Sequence, residues 1–166
     1  MITLKGEKEI ACIRESAQIL GRVHGEIAKV IKPGVTTKAL DKIAEEMIGD
    51  SGAIASFKGL GGFPASICAS VNDEVVHGVP GKRVLKEGDI ISVDCGVEYK
   101  GYHSDSAFTH AVGDVSDEVR LFLNTVRKSL YEGIKALGPG KRLGDLGYAI
   151  QSYVQERGYS VVRELV

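Results

Sequence analysis

The stretch Asp89–Val112 has the sequence DIISVDCGVEYKGYHSDSAFTHAV and predicts the centre of the fold. Its first part is strand-like up to Glu98, and its second part is strand-like again from His103 onward. The segment Tyr99–Gly101 between them has the short, glycine-containing composition of a turn. Two strand-like runs joined in this way are typical of a β-hairpin. The stretch therefore predicts two neighbouring antiparallel strands.

Helical segments lie on both sides of this hairpin in the sequence. Residues 7–31 carry apolar side chains at helical spacing. Thr36 or Thr37 can cap a second helix, and Ser116 can cap a third. The other predicted elements are a strand at Ala65–Val71, a helix at Asp145–Arg157 and a strand-like start at Tyr159–Val166. This order of helices and strands predicts an α+β fold.

A weak internal repeat, at an offset of 106 residues, relates the two ends of the chain. Each half has the order helix, Pro-Gly stop, helix and glycine. The matching positions are Lys29–Gly34 with Lys135–Gly140, Leu40 with Leu146, and Gly52 with Gly158. Two unrelated helix hairpins are the alternative to a duplicated unit. A duplication implies a first repeat at about residues 1–114 and a second, at about 115–166, whose sheet is missing from this chain.

The composition is that of a globular domain and gives no indication of binding to nucleic acids or membranes. The 166 residues suffice for a single domain, and the 43% hydrophobic and 26% charged residues are ordinary globular values. A net charge of −1 gives no indication of binding to nucleic acid or to an anionic membrane. We expect neither a membrane-spanning segment nor a signal peptide. Cys12, Cys68 and Cys95 are scattered without CxxC spacing, which is typical of the reducing cytoplasm.

Asp94 and Asp105 are the most informative pair of residues. A two-residue turn at Tyr99-Lys100 would place them directly opposite each other, and a shifted turn would place them diagonally, with Cβ atoms about 5–8 Å apart in either case. Two ionised carboxylates at ~4 Å repel by about 4 kcal/mol, so the pair needs a shared proton or a cation. Divalent metal ions prefer such oxygen ligands. The alternative is that one aspartate points to solvent while the other binds turn amides.

The four histidines differ in what their positions indicate. His77 lies at a strand end beside a tight turn, where it can face a cleft and donate a hydrogen bond to a substrate. A histidine bonded to the turn backbone is the alternative. His103 points to the same face as Asp105 in a regular strand, either as a ligand or as an exposed hairpin residue. We expect His24 and His110 on the surface.

Phe57, Leu60, Phe63 and Cys68 cluster around a glycine-rich bend at residues 58–64. Together they can line a small apolar pocket that suits a linear thioether or aliphatic side chain. The alternative is that they belong to the core. The bend lacks the GxxxxGK[ST] pattern and no helix follows it, which excludes a phosphate-binding loop.

Three stretches resemble type I methionine aminopeptidases of peptidase family M24. The stretch Gly62–Pro80, GFPASICASVNDEVVHGVP, resembles the first signature of that family. The segments Gly88–Asp94 and Gly101–Asp105 resemble the part that holds its first two metal ligands, and Gly158–Glu164 resembles the part that precedes its GHGIG motif. The resemblance covers the whole chain. It implies the pita-bread fold, with duplicated α-α-β units around an antiparallel sheet, in agreement with the internal repeat.

The resemblance also implies a metal site and a reaction. It implies two divalent metal ions, drawn from Co, Mn, Fe and Zn, and removal of the initiator methionine from nascent proteins. Asp94 corresponds to the bidentate ligand and Asp105 to the bridging ligand. His77 corresponds to the histidine that contacts the scissile peptide, and it is the expected catalytic residue.

The methionine pocket of the family corresponds to Phe57, Leu60, Phe63 and Cys68, and His77 is expected to contact the substrate there. Leu60 stands where a tyrosine is common, and Phe57 stands where a small residue or cysteine is common. These two departures imply a more aliphatic pocket.

The remaining family residues, one histidine ligand, a second histidine and both glutamates, would lie beyond Val166. The resemblance therefore implies a metalloaminopeptidase that is active only in a longer form of this chain. The alternative is a catalytically inactive short form that binds peptides or a partner. The expected substrates are N-terminal methionyl peptides, which implies proximity to the ribosome in the cytoplasm, with no direct partner among nucleic acids or membranes.

Overall fold

The computed structural model describes residues 3–164. They form two compact units, the first ending at Val115 and the second beginning at Ser116. The first unit contains two helices and a four-stranded antiparallel sheet, and the second contains two helices. Within these residues no helix is long and apolar enough to cross a membrane.

The sheet is built around one long central strand. Strand β3, Ile90–Tyr99, pairs along its whole length with β4, Tyr102–Ala111. Its other side is shared by β2, Ile67–Val71, and by the two-residue β1, Ile54–Ala55. The predicted hairpin is thus confirmed.

The turn of the hairpin lies at Lys100 and Gly101, one position later than the Tyr99-Lys100 alternative. Both residues have positive φ, 54° and 78°, as the tight turn of a twisted hairpin requires. Glycine adopts this conformation without strain, which favours the later turn. The register of every residue in the two strands follows from it.

Two helices cover one face of the sheet. Helix α1 is Glu7–Val30, and helix α2 is Thr37–Asp50, whose N-cap Thr36 accepts a hydrogen bond from the Ala39 N–H. Alternate residues of β3 face these helices and are fully buried, as expected for a strand with one covered face. The core combines these strand residues with the apolar faces of both helices: Leu20, Val23, Ile27, Leu40, Ile48, Ile91, Val93 and Val97.

The prediction that His24 and His110 lie on the surface is wrong. His24 is only 5% exposed because its face of α1 packs against β4, where its Nε2–H donates to the Ser106 carbonyl at 3.0 Å. Its ring also meets Phe108 edge-on, with centroids 4.8 Å apart. His110 is partly buried, and burial lowers the pKa of both imidazoles. His24 therefore belongs to the helix–sheet interior, and His110 is partly enclosed on the neighbouring strand.

The second unit is a pair of packed helices. Helix α3, Asp117–Lys135, begins at Ser116, whose hydroxyl accepts the Val119 N–H, and helix α4 is Leu143–Gln155. The helices approach closely at Gly133, where a Cβ would lie 2.7 Å from Cγ1 of Ile150. Small residues are therefore buried on α3, whereas much of its apolar stripe remains half-exposed: Val126, Leu130 and Ile134.

The strand-like segment predicted at Tyr159–Val166 is not a strand within its described part, residues 159–164. The Tyr159 N–H bonds back to the Val154 carbonyl, and its ring packs 5.2 Å from that of Phe122. A strand needs a neighbour to receive its backbone hydrogen bonds, and none pairs with these described residues. Leu165 and Val166 lie outside the described residues.

Candidate active site

Asp94 and Asp105 lie diagonally across neighbouring strands on the face of the sheet that the helices leave open. Asp94 is paired with Ala107, and Asp105 is paired with Gly96, so the two aspartates are offset by two residues on one face. This is the diagonal one of the two predicted arrangements. Their carboxyl groups are close enough to share a hydrogen bond.

The Asp94 carboxyl group lies in surroundings that disfavour its ionised form. Burial, followed by the neighbouring charge of Asp105, raises the pKa of Asp94 to about 6, while His77 acts in the opposite direction. Desolvation and a like charge both disfavour the ionised form. The Asp94 carboxyl group therefore holds its proton more readily than an isolated aspartate does.

The carboxylate oxygens of Asp94 and Asp105 suit part of the coordination shell of a divalent metal ion. Oδ1 of Asp94 is buried and has no hydrogen-bond partner, although buried carboxylate oxygens are normally satisfied. A divalent cation would satisfy this oxygen, and two carboxylates are hard ligands suited to such ions. No cluster of three or more His, Cys, Asp or Glu with metal-binding geometry occurs among residues 3–164. Among the described residues, the cavity thus contains two carboxylate groups that could bind a metal ion, those of Asp94 and Asp105.

His77 lies in the loop between β2 and β3, and its side chain contributes to the same cavity as the aspartates. Its backbone is in the left-handed region, with φ of 59°, which is uncommon for a residue other than glycine. The residue is exposed. It can therefore meet a ligand that enters the cavity, as the sequence predicted for a histidine facing a cleft.

A cavity of about 550 Å³ brings together all seven predicted site residues. The polar ones are His77, Asp94 and Asp105, and the others are Phe57, Leu60, Phe63 and Cys68. Gly61, Gly62 and Pro64 of the glycine-rich bend complete the lining. The bend contains a short 3₁₀ turn, Leu60–Gly62, which leaves Leu60 71% exposed at the rim.

Cys68 joins the apolar wall to the aspartates, since it is paired with Asp94 across β2 and β3. Burial, together with the charges of Asp94 and Asp105, raises the pKa of its thiol to about 11. The sulfur is therefore a neutral, polarisable surface in this cavity at physiological pH. This is the property that a thioether-binding wall requires.

Sequence reasoning missed the role of Gly96. A Cβ on Gly96 would lie 2.7 Å from Cε1 of Phe57, so the aromatic ring packs directly on the central strand beside Asp105. A lone glycine in a strand indicates a close approach, but the sequence does not say which side chain approaches. The ring of Phe57 can therefore occupy this part of the cavity wall because Gly96 has no side chain.

His103 is exposed and lies on the open face, two residues before Asp105. Its Nδ1 is 2.9 Å from the Ser56 hydroxyl, and its Nε2 is 3.9 Å from the Glu98 carboxylate. It does not line the cavity that contains the aspartates. The geometry corresponds to the exposed hairpin residue of the two predicted alternatives.

Comparisons with known proteins identify the family. Residues 11–166 match the family described as metallopeptidase family M24. The chain belongs to this family. Methionine aminopeptidase 1 of Bacillus subtilis is 51% identical over 166 residues, which are 100% of this chain and 67% of that protein. The resemblance predicted from the sequence is therefore confirmed.

Solved structures of M24 enzymes confirm the pita-bread fold. Methionine aminopeptidase from Thermotoga maritima superimposes with a TM-score of 0.97 at 38% identity, covering 100% of this chain and 67% of that one. Xaa-Pro dipeptidase from Bacillus anthracis gives a TM-score of 0.83 at 28% identity, covering 94% and 42%. The chain spans about two thirds of the length of its methionine aminopeptidase relatives.

Proposed function

We propose that this chain carries part of the active site of a metal-dependent aminopeptidase that removes the initiator methionine from nascent proteins. The observation that carries the proposal is the single cavity in which two close carboxylates, a histidine and an apolar wall meet. The family and the names of the relatives support the same reaction class. The higher identity of the methionine aminopeptidases favours methionyl peptides over Xaa-Pro peptides as substrates.

Asp94 and Asp105 are the proposed ligands of two divalent ions drawn from Co, Mn, Fe and Zn. The orphaned Oδ1 of Asp94 supports this role, as does the raised pKa of its carboxyl group. Divalent ions bound there supply Lewis-acid chemistry for peptide hydrolysis. Asp94 must lose its proton for this binding, because only the carboxylate is a metal ligand.

The substrate side of the cavity is proposed to recognise methionine. Cys68 and Phe63 offer a soft sulfur and an aromatic ring, which suit the thioether of a methionine side chain. Phe57 and Leu60 add apolar surface around the same space. His77 is proposed to donate a hydrogen bond to the scissile peptide carbonyl, where negative charge develops during hydrolysis. A nascent-chain substrate implies a location in the cytoplasm close to the ribosome.

The test measures methionine release from Met-Ala-Ser by the protein isolated from its own cells, with Mn²⁺ or Co²⁺ added, beside the same reaction with Xaa-Pro peptides. Asp94→Asn keeps the size of the side chain and removes its charge. We expect at least a ~100-fold loss of activity, because losing a partner that only orients a metal ligand already costs about 10–100-fold, and Asp94 is proposed as a ligand itself. Asp114→Asn is the matched control, because Asp114 is exposed beyond the end of β4 and does not line the cavity. Activity that survives in Asp94→Asn would overturn the proposal.

The second candidate is a catalytically inactive form that binds peptides or a partner. It is favoured by the presence of only two acidic ligands in the cavity of the described residues. Titration calorimetry with Mn²⁺ separates the two candidates. Micromolar or weaker metal binding by this chain, with no methionine release in any form of the protein, supports the binding module, whereas turnover excludes it.

A further inference from the structure

The backbone conformation of His77 requires support from its surroundings. Its φ of 59° is unfavourable for a residue with a Cβ, and such conformations persist where neighbouring structure holds them in place. His77 is exposed and lies in a loop that begins at Asn72, directly after the end of β2. Hydrogen bonds near both ends of this loop provide such support.

The end of the loop next to His77 is tied to β2 by two hydrogen bonds of Gly78. The Gly78 N–H donates to Oγ of Ser70 at 3.1 Å, and the Gly78 carbonyl accepts from the Ala69 N–H at 2.8 Å. A Cβ on Gly78 would lie 2.5 Å from the Ala69 carbonyl oxygen. Glycine is thus required at this position for close approach rather than for a positive φ.

The other end of the loop is tied by Glu74. Its carboxylate accepts the Val71 N–H at 2.8 Å and pairs with Arg83 at 2.8 Å. The Arg83 and Glu74 side chains are 43% and 45% exposed, so water screens this ion pair. The bond from Gly78 to Ser70 differs, because Ser70 is only 4% exposed. A shielded hydrogen bond holds its geometry better than one that water can replace.

Ser70 also belongs to the strand that forms the cavity. It lies two residues after Cys68 on the same face of β2, and Cys68 is the partner of Asp94. One strand therefore fixes the cysteine of the apolar wall and the turn that carries His77. The strand thus connects the turn that carries His77 to the neighbour of Asp94.

We infer that Ser70 is a positioning residue that holds His77 in its left-handed conformation at the cavity through the Gly78 N–H. The inference rests on the proposed function for its catalytic consequence: a group that acts in hydrolysis must be held in one orientation to contribute fully. Ser70 itself does not line the cavity and contacts no reacting atom.

The first experiment does not depend on catalytic activity. Amide hydrogen exchange of Gly78 and the ring resonances of His77 are measured by NMR in the 166-residue chain. We expect Ser70→Ala to raise the exchange rate of Gly78 about ten-fold or more, because the buried acceptor is lost, and to shift or broaden the His77 ring signals. Ser70→Thr retains a hydroxyl and should restore both. Ser92→Ala is the matched control, since Ser92 is paired with Ser70 but its hydroxyl bonds Thr109.

The second experiment uses the form of the protein that releases methionine. We expect Ser70→Ala to lower kcat about ten-fold with less than a two-fold change in KM. Combined with His77→Ala, it should cause no further loss, because a residue that acts only through His77 has nothing left to position. Thermal midpoints of all variants identify any that fail to fold.

The outcomes separate the two proposals. Additive effects of Ser70→Ala and His77→Ala, or Gly78 exchange and His77 signals unchanged in Ser70→Ala, would overturn the positioning role. A protein that releases no methionine in any form overturns the proposed function instead, while the NMR measurements still decide whether Ser70 holds His77.

Discussion

Each unit of the chain contains a longer helix followed by a shorter one, but the apolar faces of the two helix pairs are buried to different extents. In the first unit, Leu20 and His24 on α1 are 3% and 5% exposed against the sheet. At the offset of 106 residues, their counterparts on α3 are Val126 and Leu130, which are 42% and 50% exposed. The pattern of an amphipathic helix thus indicates which face can be buried, and the presence of a neighbouring layer determines whether that face is buried.

The helix boundaries strengthen the proposal that the two units are repeats. The offset carries the start of α2 at Thr37 onto Leu143, where α4 begins, and the end of α1 at Val30 onto Ala136, directly after α3. Most side chains at corresponding positions of the two units nevertheless differ. We propose that the units share an ancestral helix pair. The strands of the described residues all belong to the first unit.

The largest expected difference concerns the one leucine that both units share. Leu40 is fully buried in the core, whereas its counterpart Leu146 is only partly buried. Leu40→Ala should destabilise the protein by about 2–5 kcal/mol, because a buried leucine leaves a cavity. Leu146→Ala should lower the free energy of unfolding by less than half as much. Urea denaturation followed by circular dichroism measures both, and equal losses would mean that the second unit packs as tightly as the first.

Two glycines give a smaller contrast. Gly78→Ala puts a Cβ against the backbone of β2, which cannot give way easily, and should cost about 1–3 kcal/mol. Gly133→Ala meets side chains rather than backbone, those of Ile150 and Leu146, and alanine favours the helix, so the change should stay within about 1 kcal/mol of either sign. Thermal unfolding of both variants provides the measurement. A larger loss for Gly133→Ala would contradict the structure at the α3–α4 contact.

The smallest expected effect is a pH dependence confined to the first unit. Burial lowers the pKa of His24, opposed by its bond to Ser106 and by the charge of Asp105, and burial also lowers the pKa of His110, assisted by His24. Because the histidines of the unfolded chain bind protons at higher pH than those of the folded protein, the stability that the two histidines contribute is complete above about pH 6.5. It falls as the pH drops below that value, by at most about 1.4 kcal/mol per pH unit for each histidine.

The control for this pH dependence is His110→Phe, which keeps an aromatic ring and removes one titrating group. Urea midpoints at pH 7.5 and 5.5 should differ less in this variant than in the parent protein. A difference equal to that of the parent would show that other groups cause the loss of stability.

Much of the site could be predicted because successive side chains of a strand point to opposite faces of the sheet. Once the hairpin was predicted, Asp94 and Asp105 had to share a face in either register, and only the turn at Lys100 and Gly101 decided between opposite and diagonal. The resemblance to methionine aminopeptidases supplied the pocket residues, which do line one cavity. Their catalytic roles remain predictions.

The rest depended on contacts between distant segments, which local sequence patterns do not encode. The burial of His24 is caused by β4, over 80 residues away, and the packing of Phe57 on Gly96 joins a loop to the central strand. The two-residue strand β1 is too short to show any alternation. The segment after Tyr159 has the composition of a strand, but a strand forms only where another one pairs with it.

The raised pKa of Cys68 has a consequence for chemical labelling. Alkylating reagents react with the thiolate, so a thiol whose pKa is about 11 reacts slowly at neutral pH even where a cavity admits the reagent. Cys95 is fully buried, and Cys12 is the most accessible of the three cysteines. Brief treatment with iodoacetamide should therefore modify Cys12 first, and a maleimide dye attached there would report on the protein while the cavity stays unmodified.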